Sequence, residues 1–135
     1  MDFTLLSRWQ PQALALLRIV TGLLFLEHAT QKFFAFPIPF PVPGSLPPQL
    51  VAAGAIELVA GVLITVGFFT RLTAFIASGE MAVAYFMMHF PKGFWPAVNM
   101  GEAAILYCFI FLYLAAAGAG AWSVDSTRTG NAPIR

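Results

Sequence analysis

The sequence predicts an all-α, polytopic membrane protein, an antiparallel bundle of four transmembrane helices, and three observations carry that prediction. Hydrophobic residues make up 59% of the 135-residue chain and charged residues only 10%, against about 25% charge in a soluble domain. Four long apolar stretches are separated by joints rich in glycine and proline, and four spans of about 20 residues each use nearly the whole length. Each stretch holds a single glutamate, Glu27, Glu57, Glu80 or Glu102, and the chain has no other. A charged side chain at a bilayer centre costs roughly 2.5 to 3.5 kcal/mol on insertion scales. The four acids are therefore expected to converge on one interior.

The first span is expected over 13–36. Arg8 precedes an apolar run in the manner of a signal peptide, but the run continues through Leu26 into Glu27 and His28 without a small-residue cleavage site, so it reads as a retained helix. The loop from Phe36 to Pro48 carries Pro37, Pro39, Pro41, Pro43, Pro47 and Pro48, which forbid helix and favour extended geometry. Because this loop is also apolar, it is expected across the bundle mouth or in the headgroup layer. The second span, 50–69, has Glu57 as its one charge. Gly67 to Arg71 form a very short joint in which Gly67 ends one helix and Thr70 caps the next, making spans two and three antiparallel neighbours.

The third span, 72–90, contains Glu80 and ends at His89. An aromatic segment with Pro91, Phe94, Trp95 and Pro96 follows, in keeping with a membrane interface. The fourth span, 101–118, begins with Glu102. Residues 1–122 thus read as a single transmembrane domain and 123–135 as a polar cytoplasmic tail, for which disorder is the default. Arg8, Arg71, Arg128 and Arg135 fall on one side with Arg18, and Lys32 and Lys92 on the other, which predicts both termini in the cytoplasm. Trp9 and Trp122 would mark the inner interface and Trp95 the outer one.

Counting ~1.5 Å of rise per residue puts Glu27 and Glu57 about 12 Å below the outer surface and Glu80 about 15 Å, with Glu102 near the mouth. His28, Lys32, His89 and Lys92 crowd the same end, leaving an apolar floor in the inner half of spans two and four. Gly54 and Gly61 flank Glu57 on one helical face, so a neighbouring helix or a flat ligand can approach closely. Glu27 shares a face with Gln31. Arg18 is expected to reach across to Glu80, and Lys32 to Glu102.

Several chemistries are excluded or disfavoured. A formal net charge of +1 without a basic run gives no nucleic-acid footprint. Cys108 is the only cysteine, so a disulfide or a CxxC pair within the chain cannot form, and a small core residue is its ordinary role. A di-iron bundle requires Glu-x-x-His, whereas Thr30, Ala60, Val83 and Ile105 stand three residues after the glutamates, so no metal centre is expected. Haem between His28 and His89 is disfavoured, since one lies within a helix and the other at a helix end. No nucleophile elbow or phosphate loop is present, and Asp2 and Asp125 lie outside the bundle.

Two readings of the polar residues stay open. In one, Arg18, Lys32 and the glutamates, some protonated, form a satisfied core that holds the helices in register. In the other, Glu27, His28, Glu57 and Glu80 bind a ligand or carry protons, as ionisable groups within a membrane commonly do. Phe33, Phe34, Phe36, Phe40, Phe90, Phe94 and Trp95 suit a flat hydrophobic ligand such as a quinone head, or form an ordinary interface belt.

Leu17-Arg18, Gly22, Phe25, Glu27-His28 and Gln31-Lys32-Phe33 resemble the first helix of DoxX proteins. The resemblance continues through Gly54 to Glu57, Gly61, Gly67, Thr70-Arg71, His89, Gly93-Phe94 and Gly101-Glu102, and on to Gly118, Trp122-Ser123 and Asp125, covering about nine tenths of the chain. It implies a four-helix protein of the bacterial inner membrane, related to small subunits of a terminal quinol oxidase and of thiosulfate:quinone oxidoreductase, some relatives being linked to thiol and oxidative stress. The long proline-rich first loop departs from the family pattern.

The functional expectation is a membrane component of quinone-linked or redox-stress electron transfer, possessing activity of its own or serving as a non-catalytic subunit. Its candidate ligand or proton site comprises Glu27, His28, Gln31, Glu57, Glu80 and Glu102, with Arg18 and Lys32 as charge partners. Quinone is the candidate cofactor. The expected partners are the bilayer, redox-enzyme subunits and further copies of the chain. Alternatives are a small proton-coupled transporter and a scaffold that recruits soluble redox enzymes.

Overall fold

The computed structural model describes residues 3–129, and Asp2 and Arg135, with the rest of the tail beyond Thr129, lie outside the described residues. Every regular element among the described residues is helical: α1 Thr4–Ser7, α2 Gln10–Phe34, α3 Pro48–Val66, α4 Thr70–Ala84, α5 Pro96–Asn99, α6 Glu102–Ala117 and α7 Val124–Arg128. A π-helical turn, Tyr85–His89, and a 3₁₀ turn, Phe90–Lys92, prolong α4. Two helices, α2 of 25 residues and α3 of 19, are long and apolar enough to cross a membrane. The apolar α6 has 16 residues.

Local sequence explains the helix ends. Pro11 sits in the first turn of α2, where its missing N–H costs nothing. Gly67 closes α3 in the left-handed region, φ 70°, where a side chain would be strained and a Cβ would lie 2.4 Å from Ser123 Cβ. Thr70 does not cap α4. It is the first residue of that helix, and its buried hydroxyl finds no hydrogen-bond partner. The cap comes from far along the chain instead, because the N–H groups of Phe69 and Thr70 each donate to the Asp125 carboxylate at 2.9 Å.

This cap also overturns two expectations about the tail. Asp125 belongs to the packed body, and residues 123–129 fold rather than stay disordered. The free N–H groups and positive dipole end of α4 attract the carboxylate. The Asp125 N–H in turn donates to Gly67 O at 2.8 Å, and Ser123 caps α7 by accepting from Ser126 N. Arg128 completes the contact by lying 5.2 Å and 5.0 Å from the ring centroids of Phe68 and Phe69.

The longer helices pack as two close pairs, α2 with α3 and α4 with α6, joined through α3 and α4. Phe25, Ile64, Phe111 and Leu114 are fully buried between them, and Phe25 meets Phe111 edge-on with centroids 4.8 Å apart. The remaining interior is made of small residues such as Ala60, Ala74 and Ala77. Large aliphatic and aromatic side chains face outward along whole helices, among them Leu16, Val20, Leu23 and Leu24 on α2 and Leu72, Phe75 and Ile76 on α4. The largest side chain buried completely is charged: Arg18.

Candidate functional site

The body has two polar ends, and the sequence distinguishes them poorly. At the end where α7 docks, Arg18 projects from α2 onto carbonyls of the last turn of α3, of which Ile64 O also accepts the capping N–H of Gly67. Its Nε donates to Ala119 O at 2.8 Å, Nη1 to Ile64 O at 2.9 Å and to Thr65 O, and Nη2 to Trp122 O at 2.8 Å and Ala121 O at 3.2 Å. Arg18 therefore makes no pair with Glu80. The end away from the proline-rich loop is not an apolar floor either, since a fully buried guanidinium stands there. The negative end of the α3 dipole favours that placement.

The other end lies under the proline-rich loop and is built by α2, α3, α4 and α6. Here Lys32 pairs with Glu57 rather than with Glu102, donating to Oε1 at 3.0 Å and to Oε2 at 2.7 Å. Both side chains are 4% exposed. Backbone approach explains the choice of partner. Gly54 and Gly61 lie where α3 meets α2, and a Cβ at Gly61 would stand 2.9 Å from Leu26 Cα. A Cβ at Gly54 would stand 3.1 Å from Lys32 Cδ, so the lysine stem crosses the bare surface of Gly54 to reach the carboxylate one turn on. Phe40, from the proline-rich loop, covers the ammonium with its ring centroid 4.5 Å from Nζ.

Around this pair stand three further ionisable groups. Glu80, half-buried on α4, feels both Glu57 and Lys32 electrostatically, and its Oε2 is buried with no hydrogen-bond partner. Glu27 and His28 are half-buried on α2. The His28 ring meets Tyr107 of α6 edge-on at 5.8 Å, and Glu27 acts electrostatically on both. Gln31, also half-buried, lies one turn beyond Glu27. Glu102 stays apart: it is exposed in the first turn of α6, where a carboxylate suits the helix dipole.

The structure thus gathers Glu27, His28, Lys32, Glu57 and Glu80, and leaves Arg18 and Glu102 outside. His89 belongs to a separate knot, its Nδ1 donating to Asn99 O at 3.1 Å. The fully buried Asn99 side chain donates to Gly93 O at 2.9 Å and Tyr85 Oη at 3.2 Å, and accepts from Gly101 N at 2.8 Å. Among the described residues no group of three or more His, Cys, Asp or Glu side chains is placed to hold a metal ion. Cys108 is free and half-buried on α6, and Ser78 Oγ donates to its carbonyl at 2.7 Å.

Sequence reasoning passed over Tyr107, Asn99 and Asp125. Tyr107 carried a usable signal, since it and Tyr113 are the two phenols of an apolar span and a buried tyrosine hydroxyl commonly requires a partner. Most of the aromatics near the proline-rich loop, among them Phe34, Phe36, Phe90, Phe94 and Trp95, are exposed. Between α3 and α4 runs a groove of about 340 Å³ lined by Leu50, Ala53, Ile56, Gly79, Glu80 and Val83.

Comparison with known proteins gives the same picture of relatedness from two directions. The model of the DoxX family matches residues 13–90. A protein of Haemophilus influenzae, described as an uncharacterized protein, is 45% identical over 126 residues, covering 90% of this chain and 94% of its own. No solved structure matches the chain.

Proposed function

The chain belongs to the DoxX family, and from that premise we propose that it is a four-span inner-membrane component of quinone-linked or redox-stress electron transfer. The polar cluster beneath the proline-rich loop is its ligand or proton site. In this reading α2, α3, α4 with its π-helical extension, and α6 cross the bilayer, and the end carrying Arg8, Arg71, Arg128 and α7 faces the cytoplasm. The outward-facing large apolar side chains favour a lipid surround, because water would penalise so continuous a hydrophobic surface.

One observation carries the functional reading: Glu80 Oε2 is buried without a partner beside the Lys32–Glu57 pair. Leaving a buried polar group unmade costs about 1 to 3 kcal/mol, and Glu80 is the one ionisable group among the described residues left so. An unfilled carboxyl in a greasy setting fits a group that exchanges protons or receives a ligand. A quinone headgroup fits the groove of about 340 Å³ at Glu80 in size. When bound it would supply the two-electron chemistry, while the chain's residues hold the ring away from water and offer the carboxyl.

The test is extraction and mass spectrometry of whatever copurifies with the full chain, with an ultraviolet and visible spectrum. A bound quinone, lost in the Glu57→Gln variant, supports the proposal. A Soret band, or pH-dependent flux in liposomes with no quinone binding, sinks it. An unchanged Glu57→Gln variant that still recruits soluble redox enzymes would point to a scaffold.

A further inference from the structure

Under the membrane placement given above, the sides of the bundle face hydrocarbon, so water comes to the Lys32–Glu57 pair from one end or the other. From the α7 end the way is filled by Phe25, Ile64, Phe111 and Leu114, all fully buried, and by Arg18, whose donors are taken up by carbonyls. At the other end stands the proline-rich loop, with the Phe40 ring centroid 4.5 Å from Lys32 Nζ. Pro37, Pro39, Pro41 and Pro43 have no N–H to donate, and each holds the residue before it away from helix, so the segment is stiff and poorly equipped to bond. Among the described residues, 37–46 make no hydrogen bond to the helices; Val42 N–H donates within the segment, to Phe40 O at 2.8 Å. Thr30 fixes one end, its O accepting from Phe36 N at 3.2 Å and its hydroxyl donating to Phe36 O at 2.9 Å, and the start of α3 fixes the other. Between these anchors Phe40, Val42 and Leu46 are half-buried on the bundle, and Ile38 is exposed. Gly44, at φ 77° and with nothing within 4 Å of a Cβ built on it, gives the chain a place to bend.

We propose that the proline-rich segment is a hinged strap that opens to bring outside water to the Lys32–Glu57 pair, with Phe40 as the latch that holds it shut. The proposal rests on that membrane placement and concerns access to the polar cluster, so it stands whether or not a quinone binds. An ammonium has three N–H groups. Two donate to the Glu57 carboxylate, and the face of the Phe40 ring meets the charge that is left over. Opening breaks no hydrogen bond between segment and helices; the ring leaves the ammonium, and water takes its place on the third N–H. Phenylalanine suits a latch of this kind. A carboxylate in its place would compete with Glu57 for the ammonium and lock the segment down, and an aliphatic side chain has no attraction for the charge. Because the α7 end is plugged, the open strap puts the pair, with Glu27, His28 and Glu80 around it, in exchange with water on the side opposite α7.

Lys32 and Lys92 are the only lysines of the chain, and Lys92 is exposed, so amine labelling of Lys32 carries its own standard. The full chain in phosphatidylcholine nanodiscs is pulsed with a charged, membrane-impermeant acetylating ester, and peptide mass spectrometry follows each lysine. In the parent, Lys32 should react, and more slowly than Lys92. Phe40→Ala should speed Lys32 about fivefold, the equivalent of a cation–π contact of roughly 1 kcal/mol, and leave Lys92 unchanged. Phe40→Trp, whose ring attracts a cation more strongly, should slow Lys32. If Phe40→Ala fails to fold, Phe40→Trp decides alone, and a Lys32 rate in it that is unchanged or higher overturns the latch. Lys32 reacting as fast as Lys92 in the parent, or never reacting while Lys92 does, overturns the strap. Gated labelling of Lys32 in a chain that binds no quinone keeps this inference and removes the quinone reading, and bound quinone with an inert Lys32 does the reverse.

Discussion

Removing one member of the Lys32–Glu57 pair should destabilise the protein far more than removing both. Both side chains are 4% exposed, and Lys32 Nζ meets both carboxylate oxygens within 3.0 Å. A Glu57→Leu variant leaves the ammonium in an apolar interior without its counter-charge, which costs about 3 to 5 kcal/mol for buried pairs. Lys32→Met leaves the carboxylate stranded and also removes the contact with Phe40, worth roughly a further 1 kcal/mol. The double variant Lys32→Met/Glu57→Leu restores an apolar contact of similar volume, and such replacements are commonly neutral or stabilising. The expected coupling in a double-mutant cycle is therefore at least about 3 kcal/mol. Reversible unfolding in mixed micelles at increasing sodium dodecyl sulfate measures all four proteins on one scale. Additive losses, or single variants indistinguishable from the parent, would refute a buried, mutually dependent ion pair.

At the opposite end, Arg18→Lys should cost about 1.5 to 3 kcal/mol, because an ammonium has three donors and loses at least two of the five bonds to carbonyls, of which Ile64 O keeps a bond from Gly67 N–H; the same micelle titration reads the loss. Gly61→Ala forces the α2 backbone at Leu26 to move and should cost about 1 to 3 kcal/mol, whereas Gly79→Ala meets open space and should be neutral or gain up to about 1 kcal/mol from helix propensity. Equal effects of the two substitutions would contradict the close α2–α3 approach. Asp125→Ala removes the cap on Phe69 and Thr70 and should cost about 1 kcal/mol, and hydrogen exchange should rise at the first turn of α4 while the middle of α6 stays protected.

The helical character and the run of apolar segments were legible because hydropathy and the proline and glycine breaks act locally. Partner choice was not. Lys32 points to Glu57 because Gly54 clears its route, and that fact depends on the register of α2 against α3, which no residue count along one helix reveals. Arg18 was expected to seek a carboxylate, yet carbonyls of the last turn of α3 and of the segment between α6 and α7 offer several acceptors to one guanidinium. Asp125 looked like part of a solvated tail because its partner, the start of α4, is more than fifty residues distant in sequence. Glu102 carried the same letter as the other three glutamates, but a position in the first helical turn lets it remain exposed.

The two ends handle charge in different ways, and the difference assigns them different work. At the α7 end Arg18, Arg71 and Asp125 all bind backbone groups at helix termini, Arg71 reaching the carbonyls of Ala115, Ala116 and Ala117. Those bonds use the donors of Arg18 completely and hold α3, α4, α6 and α7 to one another, so that end has little capacity left for a ligand. Under the proline-rich loop Glu57 and Glu80 lie within their helices and Lys32 in the last turn of α2, and the side chains turn to one another. Lys32 and Glu57 do so. Glu80 does not, and it alone of the cluster opens on the α3–α4 groove. A carboxyl oxygen buried without a partner is the unmet polar group of that cluster, and the functional reading rests on it.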